Sequence, residues 1–333
     1  MTVRRFRLGG VVLGVTLPVW VGCGAAVVPV APGAADSSGR VSFGSMTYAG
    51  RDRTWCRYTP AGVAAGAPVP VILLLHGSGG SGHASLAGDG WEIVAEQRGC
   101  VIVAPDALPL DPGRPPNLLR NPQMWSAGQP ERGGAVDDVG FVGALLDELP
   151  RHGVAFERVF VVGHSSGGSL AFAAAAALGA RVAGLAVVAA ACWVDPAPQA
   201  APVPTLYIVG SEDPLVPLAG GRVNLLWLHR TMPPVMTTLT RWADAIGCAG
   251  PFVEWPATGG LRCLAPSSCG DDVRFEAVIV EGQGHRWPGG RTPALPGLVI
   301  GPATGRLDAT AVIAEFLLGG PDEAGAACSL IEP

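Results

Sequence analysis

Lysine does not occur in this chain, so all 22 residues of the Lys/Arg class are arginine. We attribute that bias, together with heavy Ala, Gly and Pro usage, to a GC-rich genome, and it carries no mechanism. Charge of either sign is sparse: 15% of the 333 residues are charged, with a formal net charge of −5 at pH 7. No basic run is present to neutralise phosphates, which argues against an electrostatic nucleic-acid binder, so no nucleic-acid partner is expected. No internal repeat is visible. No two cysteines have the close C-x-x-C spacing of a zinc site, and neither a metal nor another cofactor is expected. The apolar stretch near the start falls short of the roughly 20 residues that a membrane-spanning helix requires.

What is present is enough apolar material, 49% of the chain, to bury one sizeable core without dividing into two domains. Arg4, Arg5 and Arg7 precede an uncharged stretch from Leu8 to Val21 that ends in Gly22-Cys23-Gly24, the pattern of a signal peptide over residues 1–24. Gly22 directly before Cys23 fits lipoprotein processing and a membrane tether through lipidated Cys23. Trp20 stands where a lipobox usually has Leu, and cleavage near Ala34 or Ala35 fits as well. The Arg4-Arg5-Phe6 run also faintly resembles a twin-arginine signal. Each route implies export, to the periplasm, the cell envelope or the medium. Residues 25–40, almost uncharged and built of Ala, Pro, Val, Gly and Ser, read as a flexible linker, and 41–333 as one folded domain. An oxidising compartment favours disulfides for the remaining seven cysteines, an odd number that leaves one over. Buried free thiols are the alternative for Cys100 and Cys192, which lie in or beside apolar runs.

Two segments, 41–48 and 53–58, read as an opening antiparallel hairpin. Apolar strand candidates at 69–75, 100–104, 158–162, 182–189, 205–209 and 273–280 then alternate with helical stretches. In the helix expected over 137–149, Val142, Leu145, Leu146 and Leu149 mark one face and Asp137 or Asp138 can cap the start. Near-continuous apolar strands separated by amphipathic helices imply a mostly parallel sheet covered on both faces.

The strand at Arg158–Val162 runs into Gly163-His164-Ser165-Ser166-Gly167-Gly168 and an Ala-rich helix. This G-x-S-x-G stands in the strand–turn–helix context of a nucleophile elbow, where small residues two before and two after the serine relieve backbone clashes. Ser165 is therefore the expected nucleophile. The N–H of Ser166, at the helix start, is one expected oxyanion donor. The second is expected from His76-Gly77-Ser78-Gly79-Gly80, with the Ser78 N–H first and Gly79 next. His76 itself, at a strand end, reads as structural.

A serine hydroxyl needs a base, and the base an acid that orients it; with this elbow the chain order is Ser, acid, His. Gly210-Ser211-Glu212-Asp213-Pro214 follows a strand, and Asp213 leads as the acid, with Glu212 and Asp195 as alternatives. Gly282-Gln283-Gly284-His285 is a glycine-lined loop that presents His285 as the base. His83, His152 and His229 read as solvated, and His164 fills the variable elbow position.

Together these segments resemble the polyhydroxybutyrate depolymerase and feruloyl esterase group of exported α/β-hydrolases, which also includes acetylxylan esterases. The likeness rests on His76–Gly80, on Trp125 followed by Asp137–Phe141, on the elbow, on Gly210–Pro217 and on Gly282–Gly290. Ser78, and His-Ser-Ser at the elbow, depart from the residues common in that group and leave specificity open. The resemblance implies an α/β-hydrolase fold with no large cap domain, and ester hydrolysis with a small-molecule or polymer-linked ester as partner. It also implies a disulfide between Cys248 and Cys269, stapling a Gly- and Pro-rich loop, with Cys263 inside that loop as the competitor. Trp125 and Trp287 are candidates to line the site, packing being the alternative. About fifteen residues separate the strands at 182–189 and 205–209, too few for a helical cap, so an open cleft is expected. The lack of a module for adsorbing onto solid polymer favours soluble or polysaccharide-linked esters. A peptidase, an acyltransferase or a silent hydrolase-fold binding protein are the competing readings.

Overall fold

The computed structural model describes residues 39–127, 136–195, 202–225, 228–270, 273–291 and 297–319, all of which fall in one compact unit. The expected leader with Cys23, and the linker except for Gly39 and Arg40, lie outside the described residues.

The chain opens with β1 (Arg40–Tyr48) and β2 (Arg51–Thr59), paired antiparallel, then β3 (Val69–Leu75), α1 (Gly82–Gly88), α2 (Trp91–Arg98) and β4 (Val101–Pro105). It continues through α3 (Asp138–Glu148), β5 (Phe156–His164), α4 (Ser166–Leu178), β6 (Gly184–Val188) and β7 (Thr205–Gly210). The hairpin β8 (Gly221–Leu225) and β9 (Leu228–Met232), α5 (Val235–Ala245), β10 (Cys248–Ala257), β11 (Leu261–Cys269) and β12 (Phe275–Val280) follow, and then the short α6 (Gly297–Ile300) and α7 (Ala309–Leu318). One 10-stranded sheet has the order β1-β2-β4-β3-β5-β6-β7-β12-β11-β10. Its centre, from β4 to β12, is parallel, and its two flanks are antiparallel hairpins.

The parallel strands are buried on both faces, which is why they read as unbroken apolar runs. Along β3, Val71, Leu73 and Leu75 enter one core layer, while Ile72 and Leu74 enter the other. The first layer is closed by α3, α4 and α5 through Phe141, Leu145, Leu170, Phe172 and Trp242. The second is closed by α1, α2 and α7 through Leu86, Trp91, Val94, Ile313 and Phe316. Asp137 caps α3 by accepting from Gly140 N, as expected of that position. Arg53 on β2 reaches across to Asp138 at 2.7 Å, both side chains buried, and its guanidinium lies 3.7 Å from the Phe141 ring centre.

Two hairpins depart from the sequence reading. The segment between Cys248 and Cys269, expected as a loop, is the β10–β11 hairpin, which extends the sheet beyond β12. Its Pro and Gly content misleads because Pro is tolerated on an edge strand. Pro251 and Pro256 lie on β10, the last strand, and Pro266 lies where β11 has run past its pairing with β12, at Leu261–Leu264. Cys248 and Cys269 face each other in register and form a disulfide. Cys263 is disulfide-bonded as well, so it does not compete for Cys248. The second unexpected hairpin, β8–β9, is a separate 2-stranded ribbon between β7 and α5. Between β6 and β7 no helix occurs among the described residues. Cys56, Cys100 and Cys192 are free and buried.

Candidate active site

Strand β5 turns into α4 at Ser165, whose φ of 54° and ψ of −120° are sparsely populated by any side-chain-bearing residue. The surrounding glycines make that turn possible. A Cβ on Gly163 would lie 2.3 Å from Gly167 O, and one on Gly167 would lie 2.1 Å from Leu75 O. Hydrogen bonds hold the turn from both sides: Ser165 N donates to Val188 O at 2.9 Å, and Ser169 N donates to Ser165 O at 3.0 Å.

The three side chains picked out from the sequence meet at the C-terminal ends of three parallel strands, β5, β7 and β12. Ser165 Oγ lies 2.8 Å from His285 Nε2, and His285 Nδ1 lies 2.8 Å from Asp213 Oδ2. The other carboxylate oxygen of Asp213 accepts from Leu215 N and Val216 N, each at 2.8 Å, so the acid is fixed before it touches the imidazole. The loop carrying His285 is held in turn by His285 N donating to Ile300 O at 2.6 Å. Gly284 is required there, because a Cβ would lie 2.4 Å from Ile300 O. Neither alternative acid reaches the histidine: Glu212 is exposed, and Asp195 is paired with Arg241 at the surface. The arrangement can draw a proton from the serine Oγ to Nε2 while a buried carboxylate orients the imidazole and can stabilise its cationic form.

The loop after β3 passes Ser165 closely enough that a Cβ on Gly77 would lie 3.3 Å from Ser165 Cβ. Gly79 N donates to Gln123 O at 2.7 Å and is thereby committed. The N–H groups of Ser78 and Ser166 donate to no acceptor among the described residues. Ser78 lines the cleft, and Ser166 begins α4. Both N–H groups are thus uncommitted, one in the cleft wall and one next to Ser165 in the chain, as donors to an oxyanion need to be.

His76 is fully buried and structural: its Nε2 accepts from Ala107 N at 3.0 Å and its Nδ1 contacts Gly77 O. His164 lies beside His285, with ring centres 5.1 Å apart and the planes tilted by 33°, and its Nε2 is buried without a partner among the described residues. Burial, and next the charge of His285, push its pKa down to about 3, so its imidazole stays neutral.

The cleft above Ser165 has a volume of about 680 Å³. Trp287 is part of its wall, anchored by Nε1 donating to Thr310 Oγ1 at 2.9 Å. Trp125, the other tryptophan expected there, is not in the wall. It is fully buried, and its Nε1 donates to His76 O at 2.8 Å. The indole satisfies a carbonyl beneath the oxyanion loop, so Trp125 supports that loop from inside. Sequence reasoning also passed over three charged residues of the lining, Asp89, Arg230 and Arg286. Arg286 could have been found from its adjacency to His285. Arg230 rides on the β8–β9 hairpin, and Asp89 sits in an unremarkable turn between α1 and α2.

An elbow serine, a histidine and a buried aspartate at the ends of three parallel strands define an α/β-hydrolase site, and the chain belongs to the alpha/beta hydrolase family, which it matches over residues 72–325. It is 29% identical over 296 residues to "Putative esterase NocK" of Nocardia uniformis subsp. tsuyamanensis, covering 83% of this chain and 82% of that protein. An acetyl xylan esterase from Aspergillus awamori shares the fold with a TM-score of 0.51 and 16% identity, over 73% of this chain and 94% of that one.

Proposed function

We propose that this chain is a serine carboxylic ester hydrolase acting through an acyl-enzyme. The observation that carries the reading is the unbroken relay Ser165–His285–Asp213, at 2.8 Å for each link, at the floor of a cleft whose wall includes Ser78. His285 Nε2 takes the proton as Ser165 Oγ attacks the ester carbonyl carbon, and the N–H groups of Ser78 and Ser166 receive the oxygen as it becomes anionic. Collapse of that intermediate breaks the C–O bond, and His285 returns the proton to the departing alcohol. Water, deprotonated by the same imidazole, then releases the acid and restores Ser165. The esterase name of the Nocardia relative and of the fold neighbour supports an ester over an amide.

The substrate class we favour is a soluble or polysaccharide-linked ester of the kind handled by feruloyl and acetylxylan esterases, because no helix between β6 and β7 covers the site among the described residues. Export follows from the signal pattern before Cys23, as a secreted enzyme or a lipoprotein of the envelope.

Purified protein should hydrolyse 4-nitrophenyl acetate and at least one of methyl ferulate, acetylated xylan and hydroxybutyrate oligomers. Ser165→Ala should abolish turnover without lowering the melting temperature, and a fluorophosphonate should label Ser165. Hydrolysis by Ser165→Ala, or labelling elsewhere, would overturn the mechanism.

A further inference from the structure

Among the described residues Asp89 is the one acidic side chain in the wall of the cleft, and the hydrolytic relay does not use it. It sits in the turn that ends α1, and its main chain is tied down on every side. Asp89 N donates to Ser85 O at 3.1 Å, Asp89 O accepts from Thr310 Oγ1 at 2.5 Å, and Arg291 N donates to the preceding carbonyl, Gly88 O, at 3.0 Å. The carboxylate lies against Gly290, where a Cβ would come within 2.8 Å of Asp89 Oδ1. The absence of a side chain at that position, itself part of the cleft wall, leaves the carboxylate its space.

Despite this fixed placement the carboxylate has no hydrogen bond and no ion pair among the described residues. Arg291 approaches through its main chain only, Arg286 is tethered elsewhere by Nε donating to Gly301 O at 3.0 Å, and Arg230 stands on β9. Burial alone, with no charged neighbour contributing, pushes the carboxyl up to about 7. A solvated surface acid would show no such effect, and a structural acid of comparable burial is ordinarily paired. An ionisable group that is held rigid, partly stripped of water and left unpartnered in a cleft has the character of a ligand contact.

We propose that Asp89 forms a cation subsite of the cleft, which receives a primary ammonium group carried on one arm of the ester substrate. The subsite names a substrate class for the ester-hydrolase reading above and rests on it. A bound ammonium supplies the missing counter-charge and the missing donors together, as a charge-assisted hydrogen bond in a partly dry site. A hydroxyl would supply a donor without the charge.

The test compares matched esters with the amine on either arm. On the acyl arm the pair is 4-nitrophenyl 6-aminohexanoate and 4-nitrophenyl hexanoate; on the alcohol arm it is 6-aminohexyl acetate and hexyl acetate. The wild type should prefer the amine in kcat/KM by about tenfold or more on one arm, and Asp89→Asn should reduce that ratio to within about twofold of one. A wild-type ratio below about twofold on both arms, or a preference that survives in Asp89→Asn, overturns the subsite. Should Asp89→Asn fail to fold, the wild-type ratio decides alone. Calorimetric binding of both matched pairs to Ser165→Ala, with the amine-bearing ester of the preferred arm expected to bind the tighter, reads the subsite without turnover. Amine-selective binding in a protein that cleaves no ester would overturn the hydrolase reading and leave the subsite standing. Cleavage with no amine preference in either assay would do the reverse.

Discussion

His285 Nδ1 stands 2.8 Å from Asp213 Oδ2 although the two residues are 72 apart in sequence. The carboxylate approaches with its other oxygen already occupied by two backbone N–H groups. Asp213 therefore keeps one orientation whether or not the imidazole is charged, and its neighbour Glu212 has no comparable anchorage.

Asp213→Asn removes the charge that stabilises an imidazolium at His285 and allows the wrong tautomer. Turnover should fall by about 10²–10⁴-fold, while Glu212→Gln and Asp195→Asn should each stay within about threefold of wild type. Steady-state kinetics on the three variants decides, and a reversed ranking would reassign the acid.

Gly167→Ala drives a methyl group to within 2.1 Å of Leu75 O, a backbone atom that cannot swing aside. The elbow should open or the fold weaken, at a cost of about 2–4 kcal/mol, visible as a lower melting temperature together with lost fluorophosphonate labelling. A variant with unchanged stability and labelling would show that the elbow glycines are dispensable.

Replacing both Cys248 and Cys269 with Ala should cost about 3 kcal/mol by the chain-entropy estimate for a loop of this size, with the sequence separation being 21. The disulfide lies on the outer hairpin, so kcat per folded molecule should change little. Thermal unfolding measured beside activity separates the two effects, and a loss of activity at unchanged stability would contradict the assignment.

His164 supplies a pH test. Its folded pKa, about 3, lies below the ordinary value of 6.5, so the unfolded chain binds the proton more readily. The stability contribution is fully present above about pH 6.5 and is lost as pH falls towards 3, amounting to about 2 kcal/mol at pH 5. Denaturant unfolding at pH 7 and pH 5 should show that loss in the wild type and a smaller one in His164→Gln. Equal losses would mean that another group controls the acid limb.

The elements that hold the relay were legible because burial on both faces leaves parallel strands no room for polar residues. The run at 69–75 matches β3, and the elbow announced itself because only glycine fits beside Leu75 O and Gly167 O. The β10–β11 hairpin was not legible, since an edge strand has a free side and can carry Pro251 and Pro256 without losing a ladder. Trp125 was left between two roles for another reason. Its indole reaches the oxyanion segment from 49 residues along the chain, and nothing in a sequence tells whether an indole faces the cleft or props the loop from beneath. Asp89 left no trace at all, because its significance lies in the partners it lacks.

The three cysteines that are free among the described residues give this molecule an internal clock for opening. Burial pushes the thiols of Cys56, Cys100 and Cys192 up to about 12, so a thiol-directed reagent finds almost no thiolate in the closed protein. Cys56 and Cys100 belong to the layer under α1, α2 and α7, whereas Cys192 belongs to the layer under α3, α4 and α5. The rates at which they react then record how often each face of the sheet breathes, separately and with no engineered label.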